Sequence, residues 1–559
     1  MSTPTSTPLQ TLNLAHEWLR LDKDPKTHAR ISALLDNPSS HATLTSLLHP
    51  PLAFGTAGLR APMDAGFARL NALTIIQATQ GLASYLLSSA ATPISVRHSG
   101  IVLGYDARHN SERFARLTAA VFAGRGFRVW WYELPVHTPL VPFGVQELGA
   151  AAGVMITASH NPAADNGYKV YWVNGCQIVP PLDAKIAAAI EDNREPDPEA
   201  WDENAVEDSL LVEGAFGLVE DAYLNAVLGA ADPQRLLSQA PISALRFVYT
   251  PMHGVGLDYM RRALRALGIE DALTVVPEQA DPDPDFPTVR FPNPEEKGAL
   301  DLAFRTADEH GLTLVIANDP DADRLAVAQK EDGKWRQFSG NEVGALLASH
   351  VLDTYRADPD ADIRKLTMLA STVSSRLLST MAAAEGFTFR ETLTGFKWIG
   401  TTALHLNATG LDVAFGFEEA LGYMLPSVVP DKDGITATAL FLSAVARWHV
   451  QNLTPATKLQ QIYEKYGFFA EANTYVRSPS PATTHAVFAA IRGLGAPHPA
   501  SLGGRHVLKW RDLTKGWDSE TEGYLDRVVA GAGKRASQSI AITHRTSTCS
   551  GQVTSAFPP

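Results

Sequence analysis

Short uninterrupted apolar runs recur along the chain, each closed by a polar motif and followed by helical patterning. Runs of this length between turn residues read as strands buried on both faces, and their alternation with helices predicts α/β domains with parallel sheets. Residues 101–103 end in Gly104-Tyr105-Asp106-Ala107-Arg108, residues 150–156 in Thr157-Ala158-Ser159-His160-Asn161-Pro162, and residues 246–249 in Thr250-Pro251-Met252-His253-Gly254. Residues 312–317 end in Asn318-Asp319-Pro320-Asp321-Ala322-Asp323-Arg324, 366–370 in Ser371-Thr372, and 413–415 in Gly416-Phe417-Glu418-Glu419. Ligands of open parallel sheets gather beyond the carboxyl ends of strands, so these endings are the expected site. Proline-rich or acidic stretches at 195–199 and 281–294 read as loops or domain edges. Domain boundaries are expected near 220, 335 and 455.

A length of 559 residues predicts three to five domains. With 45% apolar and 19% charged residues the composition is that of a soluble globular protein. Cys176 and Cys549 are the only cysteines, which excludes a disulfide framework and a Cys-based zinc site and fits a reducing cytosol. The opening MSTPTSTPLQ has neither a basic nor an apolar leader region, and no long apolar run follows, so neither secretion nor membrane spanning is expected. A net charge of −13 argues against a nucleic-acid surface. An anionic substrate would then need a local basic pocket.

Ser159 sits where Asn161-Pro162 breaks the strand, because proline cannot continue a ladder. Taken alone the hexapeptide is better read as a plain turn. Asp319, Asp321 and Asp323 carry more information. Three carboxylates spaced by two after a buried strand can converge on a hard divalent cation, and magnesium favours such oxygen ligands. An EF-hand loop would need Gly at its sixth position and Glu at its twelfth, where this chain has Arg324 and Lys330. Asp358-Pro359-Asp360-Ala361-Asp362 repeats the pattern but follows the helix-like stretch 344–356, so it is expected to be a surface loop. A carboxylate triad beside a serine suggests phosphoryl transfer, with Lys169 and His160 as the nearest candidates for acid–base work.

Phe54-Gly55-Thr56-Ala57-Gly58-Leu59-Arg60, the Ser159 loop, the Asp319 loop, Gly395-Phe396-Lys397-Trp398-Ile399-Gly400 and Gly416-Phe417-Glu418-Glu419-Ala420-Leu421-Gly422-Tyr423 occur in this order. Together they resemble the α-D-phosphohexomutase superfamily, particularly its phosphoglucomutase-2/phosphopentomutase branch. The resemblance implies a heart-shaped, four-domain protein with three related α/β domains around a cleft and a C-terminal α+β domain. It implies Mg²⁺ and a sugar bisphosphate activator, glucose 1,6-bisphosphate or ribose 1,5-bisphosphate, and a cytoplasmic monomer acting on small sugar phosphates is expected. Ser159 looks like the phosphoserine, and with Asp319, Asp321 and Asp323 it would complete the metal ligands. Lys169 is similar in position to the general base, with Arg60 and His160 near the moving phosphate and Arg324 pairing in the metal loop and contacting substrate. Glu418 and Glu419 match the loop that grips sugar hydroxyls, and Lys397 with Gly395 the segment that reads sugar orientation.

Two positions depart from the pattern. Strict glucose mutases carry serine after the two glutamates, whereas Ala420 stands here, which shifts the expectation toward ribose and deoxyribose phosphates. The family's last domain carries an R-T-S-G-T-E-P phosphate loop, but Arg545-Thr546-Ser547 is followed by Thr548-Cys549-Ser550-Gly551, and no Asp or Glu occurs after Asp526. A truncated or divergent last domain, without the usual closing strand and helix, is therefore expected. The expected activity is a phosphopentomutase with phosphoglucomutase activity. A glucose-1,6-bisphosphate synthase and a sugar-phosphate-binding protein without turnover are the alternatives.

Overall fold

The computed structural model describes residues 8–470, 481–512, 515 and 517–519, with the backbone of three further strands at Gly523–Tyr524, Ile540–Arg545 and Gln552–Phe557. One compact unit holds the chain to Phe338 together with Gly422–Thr454; the other holds Ser339–Leu421 and the chain from Pro455.

The first unit contains two mixed sheets. Strands β1 (Leu59–Pro62), β2 (Ile101–Tyr105), β3 (Val129–Trp131), β4 (Ala152–Ile156), β5 (Asp165–Trp172) and β6 (Val212–Gly214) lie in the order β1-β5-β4-β2-β3-β6. The apolar runs at 101–103 and 150–156 become β2 and β4, parallel and wholly buried. Their side chains, among them Leu103, Val154 and Ile156, join Phe114 and Phe122 of the helix Ser111–Gly124 in one core. The second sheet, β7 (Phe247–Thr250), β8 (Leu273–Val275), β9 (Leu314–Ala317), β10 (Ala326–Glu331) and β11 (Lys334–Gln337), runs β11-β10-β9-β7-β8. Three N-terminal helices, Pro8–Leu21, Pro25–Leu35 and His41–Leu48, pack around Trp18, Ile31, Leu47 and Phe67.

The sheets are not purely parallel, and the exceptions place the site. β4 returns directly into antiparallel β5 through residues 157–164, and β9 into antiparallel β10 through residues 318–325. Neither connection is long enough for a crossover helix, so the next strand must reverse. Each reactive loop is thus held on both sides by the same sheet.

In the second unit β12 (Leu366–Ser371), β13 (Thr388–Thr392) and β14 (Asp412–Glu418) are parallel in the order β13-β12-β14. Farther on, the helix Pro481–Arg492 and the strand Arg505–Asp512 share a small core of Phe488, Val507 and Trp510. A closing strand is present, contrary to the sequence expectation: Gln552–Phe557 pairs antiparallel with Ile540–Arg545. Thr546 to Gly551, where the phosphate loop was sought, lie outside the described residues. Among the described residues no helix is long and apolar enough to cross a membrane.

Candidate active site

Ser159 is buried and adopts a left-handed backbone, φ 53°. Its N–H donates to Thr157 Oγ1 at 2.8 Å, Thr157 Oγ1 donates to Asp106 Oδ2 at 2.6 Å, and its own carbonyl accepts from Arg108. The hydroxyl is thereby aimed at Asp319, donating to Oδ2 at 2.8 Å, with His160 Nδ1 at 3.2 Å. Two separate sheets meet at this hydrogen bond.

Asp319, Asp321 and Asp323 are fully buried, and each offers an oxygen within 4.8 Å of the other two. Lys169, on β5, reaches Asp321 Oδ2 at 2.8 Å and Asp323 Oδ2 at 3.3 Å. Thr138 Oγ1 donates to Asp321 Oδ2 at 2.6 Å. Arg324 donates its backbone N–H to Asp319 Oδ1 at 3.1 Å and holds Nε 3.8 Å from Asp319 and 3.9 Å from Asp323. Burial raises the Asp319 carboxyl well above its ordinary range, reinforced by Asp323 and Asp321. Burial acts the same way on Asp321, but the Lys169 ammonium outweighs it and holds that carboxyl well below its ordinary range.

The donor set fits a hard cation. Asp321 Oδ1 and Asp323 Oδ1 are buried and accept no hydrogen bond, an arrangement that is costly unless something positive completes it. The repeated acidic pattern behaves as expected of a surface loop: Asp358 and Asp360 are exposed, and Asp362 pairs with Arg364 at 2.9 Å.

Burial and the nearby cations Arg324 and Arg60 hold His160 well below the usual imidazole range, so its ring is neutral. Arg60 is an exposed side chain whose guanidinium donates to Asn161 Oδ1 at 3.4 Å. His253 is a buried loop histidine bonded through Nε2 to Thr288 Oγ1 at 2.8 Å.

The remaining candidates lie in the second unit. Gly395 donates its N–H to Glu418 Oε1 at 2.8 Å, joining two motifs that are far apart in sequence. Glu419 Oε2 accepts from Ser371 Oγ and Ser374 Oγ, both at 3.3 Å, at the carboxyl end of β12. Lys397 is half-buried in the first turn of the helix Phe396–Ala408.

Lys432 escaped sequence reasoning. Its Nζ lies 2.8 Å from Asp323 Oδ2, and the charges of Asp323 and Asp431 raise its ammonium above the usual range against the effect of burial. Asp433 caps the helix Gly434–Val450, and Gly434 lets that helix start against the Asp319 loop, since a Cβ there would sit 2.3 Å from the Arg324 carbonyl oxygen. The Asp431-Lys432-Asp433-Gly434 run after a proline was the available signal. Thr138 was also missed, and Arg108 lay in an expected strand ending but was given no role there.

Models of phosphoglucomutase/phosphomannomutase alpha/beta/alpha domains I, II and III match residues 51–197, 221–333 and 339–466. A Schizosaccharomyces pombe protein named "Probable phosphoribomutase" is 46% identical over 512 residues, covering 91% of this chain and 86% of its own. The Saccharomyces cerevisiae phosphoribomutase is 44% identical, with 90% of this chain and 83% of its own covered. A human glucose 1,6-bisphosphate synthase is 41% identical, covering 90% and 82%. The crystal structure of Paramecium parafusin, a phosphoglucomutase, in its open form shares the fold at TM-score 0.61 and 18% identity, covering 91% of each chain.

Proposed function

Because this chain belongs to the phosphoglucomutase/phosphomannomutase family, we propose that it interconverts ribose or deoxyribose 1-phosphate and 5-phosphate through a phosphoserine at Ser159, with phosphoglucomutase activity beside it. The observation that carries this reading is the buried Ser159–Asp319 hydrogen bond, in one cluster with Lys169 and two further aspartates. Ala420 and the phosphoribomutase relatives support the pentose preference.

In the forward step the phosphorus–Oγ bond of phosphorylated Ser159 breaks as a new bond forms to the substrate's free hydroxyl; Lys169 gives up its ammonium proton, which the departing Ser159 Oγ takes up, and then accepts the hydroxyl's proton in its place. The resulting bisphosphate turns over, and Ser159 Oγ recovers the other phosphoryl group. Arg60, His160 and Arg324 flank the phosphoryl oxygens, as charge-bearing or hydrogen-bonding groups do in phosphoryl transfer. Asp319, Asp321 and Asp323 would hold Mg²⁺, which supplies positive charge to offset that of the transferring group. Glu418 and Glu419 accept hydrogen bonds from sugar hydroxyls, with Lys397 and Gly395 in the adjoining recognition segment. A cytoplasmic setting, a sugar bisphosphate activator and domain edges near 220, 335 and 455 belong to the same reading; the family-model spans favour the first two edges, while the domain III match runs to residue 466. A coupled assay with Mg²⁺ and catalytic bisphosphate tests it: kcat/KM for ribose 1-phosphate should exceed that for glucose 1-phosphate, and the reverse order would overturn the pentose assignment. The human relative favours one second reading, bisphosphate synthesis from an acyl phosphate, which an assay without added bisphosphate would detect as bisphosphate formed only when that donor is present.

Burial and the charge of Glu418 push the Glu419 carboxyl up to about 7. The folded chain therefore holds this proton more tightly than the unfolded chain, and stability falls as pH rises from the ordinary carboxyl range to about 7, then levels off. The hydroxyl-accepting carboxylate develops around pH 7, the upper end of that window, so kcat/KM should rise through pH 7 after most of the decline in melting temperature. Glu419→Gln should flatten both profiles, and an unchanged acid limb would count against the assignment.

A further inference from the structure

We infer that Arg108 is a positioning residue that locks the backbone of the Ser159 loop so that its hydroxyl keeps one direction before and after each phosphoryl transfer. The inference rests on the phosphoserine reading of Ser159. One guanidinium serves four carbonyls of that loop: Nη1 donates to Pro162 O at 3.0 Å and Asp165 O at 3.3 Å, and Nη2 to Asn161 O at 2.6 Å and to Ser159 O. Its planar fork of donors fixes the spacing of those oxygens in a way a lysine's single ammonium cannot.

Asp106 anchors the other side. Its Oδ2 lies 3.3 Å from Arg108 Nε and accepts from Thr157 Oγ1, while its Oδ1 accepts from Arg108 N at 3.0 Å and Ser111 Oγ at 2.6 Å. The N–H of Ser159 is tied to Thr157 and its carbonyl to Arg108, so both peptide groups of the serine are referred to one buried carboxylate. This restraint has something to resist. Ser159 holds a left-handed conformation at φ 53°, which a non-glycine residue keeps only where its surroundings over-determine it. Phe286 covers the guanidinium, with its ring centroid 4.9 Å away. The hydrogen bonds of Arg108 go to the backbone of the loop, and those of Ser159 Oγ to His160 and Asp319, so Arg108 acts through the backbone.

The test is the rate at which glucose 1,6-bisphosphate phosphorylates Ser159, followed by intact mass, beside steady-state kinetics. Arg108→Lys keeps a charge next to Asp106 but spans fewer carbonyls; it should slow phosphorylation and kcat by about 100-fold, the scale of a misplaced reacting group, with KM moving less than about threefold. The paired variant Asp106→Asn/Arg108→Met leaves no lone buried charge and should show the same split between kcat and KM. Wild-type phosphorylation rates in either folded variant would overturn the inference while leaving the phosphoserine standing. A native chain that takes up no phosphate would sink both.

Discussion

Ser159→Ala should lose mutase turnover by roughly four to six orders of magnitude, the scale expected when a covalent catalyst loses its nucleophile. Its stability should fall by only about 1–3 kcal/mol. The substitution leaves the buried Asp319 Oδ2 without its donor, and alanine meets the same φ 53° constraint that serine already satisfies. The loop's restraints also survive, because Thr157 and Arg108 grip backbone atoms that alanine shares. Activity and melting temperature therefore separate, which misfolding could not produce. Intact mass supplies the second readout: wild-type protein incubated with the bisphosphate gains a phosphoryl group and the variant does not. Retained turnover in the variant would remove the phosphoserine mechanism altogether.

What the sequence disclosed, it disclosed through local context. The run before Ser159 and the run before Asp319 were legible as strands because each is continuously apolar and stops at a proline-bearing loop. The same context separated the Asp319 triad from its copy at Asp358, which follows a helix and is exposed. Lys169 could be nominated from its closeness to Ser159, but its true partners, Asp321 and Asp323, belong to the other sheet of the unit. Lys432 lay beyond such reasoning, since a helix start brings it to Asp323 from a distant part of the chain. Arg108 was visible as the end of a motif, yet its partners are backbone carbonyls, which no side-chain pattern marks. The reversal of β5 and β10 was missed for a different reason: buried parallel and antiparallel strands have the same composition, and only the short connections distinguish them.

Asp323→Ala should be the most disruptive change in the acidic loop, for a reason separate from any metal. Asp323 faces Lys432 at 2.8 Å, Lys169 at 3.3 Å and Arg324 at 3.9 Å, all in a buried cluster. Deleting one partner of a buried ion pair typically costs about 3–5 kcal/mol, because the remaining charge is desolvated without compensation. Asp323→Asn keeps the shape and one acceptor oxygen and should cost less, about 1–3 kcal/mol. Both variants should lose the response to Mg²⁺. In the wild type a site saturated to 100 times its Kd adds about 2.7 kcal/mol of stability, seen as a rise in melting temperature; in the variants that rise should disappear along with activity. Because the three carboxylates already face Lys169, Lys432 and Arg324, a divalent cation arrives at a site whose charges are largely balanced. The phosphate on Ser159, carrying close to two negative charges, restores the balance, so Mg²⁺ should bind more tightly to the phosphorylated enzyme than to Ser159→Ala. A magnesium-dependent melting shift of full size in Asp323→Asn would mean that the triad is not the cation's site.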